Sequence, residues 1–515
     1  MLGSISYKES IGFPLLSIVV FLPAIGALFL MLINSKRQTL LRCAALAVAG
    51  VDFVISLFLL VGFRQNTAKM QFVEKFAWFK AIGSSYHLGV DGISLFLVIL
   101  TTLMGVLVVL ACWRDITSQV KELMICLLLL QTGMLGTFVA LDLLLFYVFW
   151  EAMLPPMYLI IGIWGSSRRI YSTLKFFIFT IVGSFPMVLG IMAIYFNYHN
   201  YAIAYNIHPE YTFDLLKLYQ VNIPMGIQAW VFWTLFVGFA VKVPMFPIHT
   251  WLPDAHTDAP TVGSVILAGI LLKMGTYGFI RFSLPLLPDA CREYGHIALI
   301  LSAIAIIYAS WVAFNQEDMK KLIAYSSIGH MGYITMGIFV LNQQGISGGV
   351  IQMLNHGVST GALFLMIGMI YERRHTRLIT EYGGLFKQIP WYTTFFVIVM
   401  LSSMGAPGFN GFVGELLILM GTFKVSMTFG IVCILGILGC SAYLLWLFQR
   451  AMLGEITNPA NHKLKDLNFR EVMILVPLVI MIFWVGLYPK PFLDVIDPSV
   501  ENLVAMMRSG PSSAK

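Results

Sequence analysis

Four ionisable residues stand inside long apolar runs of this sequence: Glu151 in FWEAMLPPMY, Lys242 in FAVKVPMF, Lys273 in VILAGILLKMGTYGFI and Glu415 in GFNGFVGELLIL. A charge at membrane depth costs at least ~2.5–3.5 kcal/mol on insertion scales, and such residues usually mark ion or proton pathways. Carboxylates and amines suit proton transfer. Burial drives a glutamate toward its neutral form and a lysine likewise, while a nearby opposite charge restores the ionised forms. A lysine near a helix end can instead reach the interface on its long stem. Lys273 stands mid-run, and a glutamate cannot reach far, so Glu151 and Glu415 carry the stronger signal.

Two histidines join them, His330 in KLIAYSSIGHMGY and His356 in IQMLNHGVSTGALF. Imidazole titrates nearest neutral pH and can relay protons. Alone, either histidine reads equally well as a packing residue bonded to a carbonyl. Strung with two Glu and two Lys along one apolar plane, the six make a better proton relay than a set of packing residues. His249 and His256 fall near the end of a run and just after it, where a structural reading has at least equal weight. Asp142 lies nine residues before Glu151; at about 100° per residue it faces the other way. It reads as a helix cap, off the relay.

The backbone near the four is interrupted. Pro155 follows Glu151 and frees its carbonyl, Pro244 and Pro247 follow Lys242, and Pro407 with several glycines precedes Glu415. Interrupted helices at membrane depth survive only where they line protein or water, and transporters place their sites at paired broken helices in two internal halves.

The elements that must hold these residues follow from composition. The chain has 515 residues, 59% hydrophobic and 11% charged, against about 25% charged in an ordinary soluble domain. Disordered, fibrous and disulfide-framework classes are excluded, and the net charge of +7 reports loop orientation rather than nucleic-acid binding. The apolar stretches are continuous rather than alternating, which excludes a membrane barrel. About fourteen windows long enough to span lie between residues 11 and 488, giving an all-α polytopic membrane protein. Residues 1–119 read as a three-helix segment, the first span following Lys8 and Glu9 with no evident cleavage site. Residues 120–284 and 285–450 read as five-helix repeats, each broken in its fourth helix and forming one half-channel, and 451–515 as a last helix and tail. An odd number of spans per repeat inverts the second copy relative to the first. With both termini outside, eighteen Lys and Arg fall in inward loops, Lys320 among them, and twelve outward, Arg281 among them; the positive-inside rule therefore places both termini on the periplasmic side. The six cysteines form no CxxC pair and read as small buried side chains.

The runs FWEAMLPPMYLIIGIWG, FAVKVPMFPIHTWLPDAHTDAPTVGSVILAGILLKMGTYGFIRF, DMKKLIAYSSIGHMGY and GFNGFVGE resemble the antiporter-like subunits of respiratory NADH:quinone oxidoreductase, complex I. The likeness covers nearly the whole chain. Glu415 stands where two related subunit types, L and N, resemble one another in using Lys, and the long lateral helix of the L type is lacking. The resemblance implies fourteen helices in two inverted repeats and a proton channel. It implies a coupled Glu151–Lys242 pair, Lys273 as central relay, Glu415 as terminal site, and His330 and His356 on the connecting axis. It further implies a bacterial inner-membrane location, L- and N-type and small helical subunits as partners, and lipid around them. NADH, flavin, iron–sulfur clusters and quinone would belong to other subunits, since no dinucleotide fingerprint or cysteine cluster is visible here. Two rival readings remain: a cation/proton antiporter using the same residues, and a purely structural membrane subunit, which the buried charges oppose.

Overall fold

The computed structural model describes residues 13–205 and 211–509; Lys8, Glu9 and Lys515 lie outside them. Among the described residues, twelve helices are long and apolar enough to cross a membrane. Two further segments complete the bundle, Met319–Phe339 and the pair Pro390–Ser403 and Asn410–Phe423. The interruptions expected after Lys242 and before Glu415 are both present. The Met225–Lys242 helix ends at Lys242 and resumes at Trp251–Asp258; the second break falls between Ser403 and Asn410. A third separates Leu143–Ala152 from Leu154–Trp164, directly after Glu151 and at the two prolines.

Polarity and burial run opposite to the soluble pattern. Gln343–Arg374, which carries Gln352, Asn355, His356, Ser359 and Thr360, is wholly buried over its most apolar window, as is Thr261–Leu286, which carries Lys273. The strongly apolar Gln38–Gly62 helix is 28% buried over its window. A bundle in lipid gains nothing by hiding leucines from an equally apolar medium, so the helices bearing polar groups occupy the centre.

Helix starts are set by side-chain caps. Asp142 accepts from the Leu144 and Leu145 amides at 3.0 and 3.1 Å, as its reading as a cap requires. Asp318 accepts from the Lys320 and Lys321 amides at 2.7 and 3.1 Å, and Asn468 with Glu471 forms a capping box.

Two elements differ from the helical expectation. Within 1–119, strands β1 (Gln71–Ala77) and β2 (Ser85–Val90) form an antiparallel hairpin. Its Glu74 carboxylate takes the Leu16 amide at 2.7 Å at the start of the first helix, and Lys75 pairs with Asp214. Burial pushes the Asp214 carboxyl up, but His87 and Lys75 outweigh it and hold the group well below its ordinary range. Within 451–515, a second helix, Lys490–Ser509, follows the last span; it buries Phe492, Val495, Ile496, Val500, Leu503, Val504 and Met507 against the bundle. Ser347 Oγ donates to its Asp497 at 2.6 Å. The spacing of those apolar residues is that of an amphipathic surface helix rather than a span.

The sorting of charges also needs correction. Arg281, counted among the outward loop charges, is 5% exposed inside the Thr261–Leu286 helix and grips Asp91 with two bonds of 2.8 and 2.5 Å. Lys320, counted as an inward loop charge, is 5% exposed. Asp52, within the second span, is fully buried and accepts from Gln131 at 2.7 Å. Loop sorting by sequence misses these because a paired or capped charge tolerates burial that a lone one does not.

Candidate functional site

The two buried central helices face each other at Lys273 and His356. Lys273 lies just after a π-helical turn, Leu267–Leu271. The widened turn leaves the Ala268 carbonyl where Lys273 Nζ donates to it. The same Nζ is 2.6 Å from His356 Nδ1. No periodicity in either run foretells that contact, since it joins residues 83 apart.

From His356 the chain of groups continues. The His330 ring lies 5.5 Å from the His356 ring, centroid to centroid, and His330 Nδ1 is 3.4 Å from Glu415 Oε1. Gln352 Nε2 also reaches Glu415 Oε1 at 3.4 Å. Lys273, His356, His330 and Glu415 are all at most 6% exposed. A small pocket beside them is lined by Asn355, Ser359, Ser402 and Ser403 with both histidines. Asn355 Oδ1, Ser403 Oγ and His356 Nε2 are buried there without a partner. Orphaned polar atoms around a small void are what an ordered water satisfies.

The break in the second half serves Glu415 directly. Gly405 has φ +68°, and a Cβ on it would lie 2.1 Å from Glu415 Oε2. Only glycine lets the chain turn there and the carboxylate approach so closely.

Glu151 and Lys242 form a second group. Lys242 is 2% exposed, and its Nζ has no hydrogen-bond partner. It sits over the Trp150 ring at 5.3 Å and the Phe176 ring at 5.9 Å, a cation–π setting. Glu151 is its opposite charge, but Glu151 Oε1 is also unpartnered. The pair is therefore open, with the Lys242 amine set among aromatic faces instead of against a carboxylate. Six expected residues thus fall into two sets: four in a continuous polar line, and two beside each other at the first break. Among the described residues no hydrogen bond or ion pair joins the two sets.

Two polar groups beside His330, Cys440 and Tyr443, are not singled out by the sequence. Cys440 Sγ lies 3.7 Å from His330 Nε2, and the Tyr443 hydroxyl bridges Cys440 Sγ at 3.0 Å and Ser326 Oγ at 2.7 Å. Their spacing, three apart on one helix, was visible but read as core. His256, given a structural reading at least as strong as a functional one from its sequence, is fully buried with neither ring nitrogen partnered. Among the described residues no group of three or more His, Cys, Asp or Glu is arranged to hold a metal, and all six cysteines are free.

A sequence model of the family described as "NADH:quinone oxidoreductase/Mrp antiporter, TM" matches residues 140–439. The chain is 45% identical over 497 residues to the NADH-quinone oxidoreductase subunit M of Rickettsia typhi, covering 95% of this chain and 99% of that one. It is 44% identical over 490 residues to NADH-ubiquinone oxidoreductase chain 4 of Arabidopsis thaliana, covering 95% and 97%. Among solved structures it is similar to a chain of respiratory complex I from Thermus thermophilus with bound NADH, at TM-score 0.86 and 30% identity, covering 96% and 99%.

Proposed function

The chain belongs to the NADH:quinone oxidoreductase/Mrp antiporter family, and on that premise we propose that its four-residue line is a proton relay. It is a proton-translocating membrane-arm subunit of NADH:quinone oxidoreductase. Protons pass Lys273, His356 and His330 to Glu415, and the open Glu151–Lys242 pair sets the charge that drives them. The observation that carries this reading is the 2.6 Å contact between Lys273 and His356, because a proton can cross it without any intermediary. When Glu151 and Lys242 close, Lys242 is held charged; when they part, its proton is released toward the centre of the bundle.

In this reading the redox chemistry, with NADH, flavin, iron–sulfur clusters and quinone, belongs to other subunits, and the neighbours include L- and N-type chains, small helical subunits and lipid. The bundle is two inverted five-helix units, 120–284 and 285–450, flanked by 1–119 and 451–515. The placement of both breaks in the fourth helix supports this. The membrane is the bacterial inner membrane with both termini outside, as the excess of inward Lys and Arg favours.

The test is the assembled complex in sealed vesicles, with NADH oxidation and proton pumping recorded together. Lys273→Met and Glu415→Gln remove a proton carrier without adding charge. Each should lower pumping per NADH at least about tenfold, toward the 10²–10⁴-fold usual for a lost proton-transfer group. Undiminished pumping in both, with assembly intact, would refute the relay. Cation-dependent proton exchange by the chain alone would instead favour the antiporter reading.

A further inference from the structure

A water-sized space lies away from the Glu151–Lys242 pair. It is a cavity of about 340 Å³, lined by Asp115, Trp164, Asp258, Thr261, Lys320 and Arg377 among others. At about 30 Å³ per molecule it holds several waters. Its lining comes from residues 115–118, 163–169, 258–261 and 367–377 together with Lys320, at the connections expected on the membrane face with the excess of Lys and Arg. In the orientation proposed above, this is the side from which protons are taken.

Lys320 is the group that reaches from this cavity into the bundle. It is 5% exposed, and its Nζ donates to the Ala259 carbonyl at 2.5 Å, just past the end of the broken helix. Asp318, Asp115 and Asp258 face it as anions and Arg377 as a cation. Three residues before Ala259, on the Trp251–Asp258 helix, His256 is stacked on Phe364 at 4.6 Å with the rings 11° apart. Stacking fixes the plane of the imidazole, yet both nitrogens are buried and unpartnered. An unpaired buried polar group costs about 1–3 kcal/mol, and here two occur on one ring. Lys320 and Lys273 are both close enough for their charge to act on His256. His356 in turn has Lys273, His330 and His256 as its charged neighbours.

We propose that protons enter through this cavity and reach Lys273 by way of Lys320 and His256, at the junction of the two halves, without passing Lys242. The neutral Lys320 amine takes a proton from water in the cavity. On leaving the Ala259 carbonyl it gives that proton to one nitrogen of His256, and the other nitrogen releases one toward Lys273. Each transfer breaks one N–H bond and forms another, so no oxidant or second reactant is needed. The Glu151–Lys242 pair then acts on this path by its field, and Lys242 need not carry the proton itself.

The inference rests on the relay reading of Lys273, and the experiment separates the two. Lys320→Arg keeps a cation against the Ala259 carbonyl and the three aspartates but cannot give up a proton. His256→Gln keeps polarity without titrating. In assembled complex in inverted vesicles, both should lower pumping per NADH oxidised at least about threefold, with complex content unchanged on native gels. Lys273→Met is measured beside them. If it pumps normally, the relay reading fails. If it is inactive while Lys320→Arg and His256→Gln match the parent, the inlet alone is overturned. Should either inlet variant fail to assemble, Thr261→Cys in a Cys43→Ala background replaces it. Modification by a charged, membrane-impermeant methanethiosulfonate from the cytoplasmic face should then slow pumping. Absence of modification, or modification without effect, overturns the proposal.

Discussion

Replacing Gly405 with alanine moves one atom group and tests the terminal site without touching an ionisable residue. The new methyl would lie 2.1 Å from Glu415 Oε2, where real contacts stay beyond 3.0 Å, so the carboxylate must retreat by about 1 Å. Its other oxygen already stands 3.4 Å from His330 Nδ1, and a contact stretched past about 3.6 Å is no longer a hydrogen bond. A misplacement of about 1 Å in a reacting geometry can cost on the order of 100-fold. The backbone adds its own penalty, since alanine at φ +68° costs about 1–2 kcal/mol. Gly408 supplies the control. It has φ +90°, and a Cβ there would meet only Leu487 at 3.9 Å. Gly408→Ala thus carries comparable strain but leaves Glu415 in place. In sealed vesicles, Gly405→Ala should lower the proton-to-NADH ratio severalfold or more, and Gly408→Ala should leave it near the parent's. Equal losses in the two would show that backbone strain, not displacement of the carboxylate, is responsible. A normal ratio in Gly405→Ala would show that the His330–Glu415 distance does not govern transfer.

Two other outcomes follow from groups outside the relay. Asp52→Asn keeps an acceptor for Gln131 and should leave the thermal unfolding of the purified complex almost unchanged. Asp52→Leu strands the Gln131 amide and should cost about 1–3 kcal/mol; equal stability of the two would mean the 2.7 Å bond contributes nothing. Burial first, then Glu501 and Asp494, raise the Asp497 carboxyl above its ordinary 3.8 despite the Ser347 bond. A raised carboxyl stabilises docking fully below the unfolded value and loses that contribution as pH rises through the folded one. Hydrogen exchange across residues 490–509 should therefore be slower below the unfolded value of 3.8 than at neutral pH, with the difference shrinking in Asp497→Asn. A pH-independent rate in the parent, after correction for intrinsic exchange, would contradict it.

Much of this protein is written in its sequence. Continuous apolar runs decide that it is helical and in a membrane, because lipid leaves no other partner for backbone polar groups. Pro244, Pro247 and Pro407 decide where two helices break, because proline lacks the donor that a helix needs. Glu151, Lys242, Lys273 and Glu415 stand out because a charge that survives among apolar neighbours is rare at any spacing. Asp142 as a cap is legible for the same local reason.

What escapes the sequence is everything set by contact between distant segments. The hairpin Gln71–Val90 and the surface helix Lys490–Ser509 lack the long apolar signal of a span. Arg281 and Lys320 look like loop charges until Asp91 and the Ala259 carbonyl are brought to them from 190 and 61 residues away. The Lys273–His356 contact depends on a π-helical turn and on two helices meeting face to face, and His256 comes within reach of the charge of two lysines only through packing. Residue type and local spacing determined which groups could carry a proton. The tertiary structure decided which of them touch, since proton transfer depends on ångström-scale distances that no one-dimensional pattern contains.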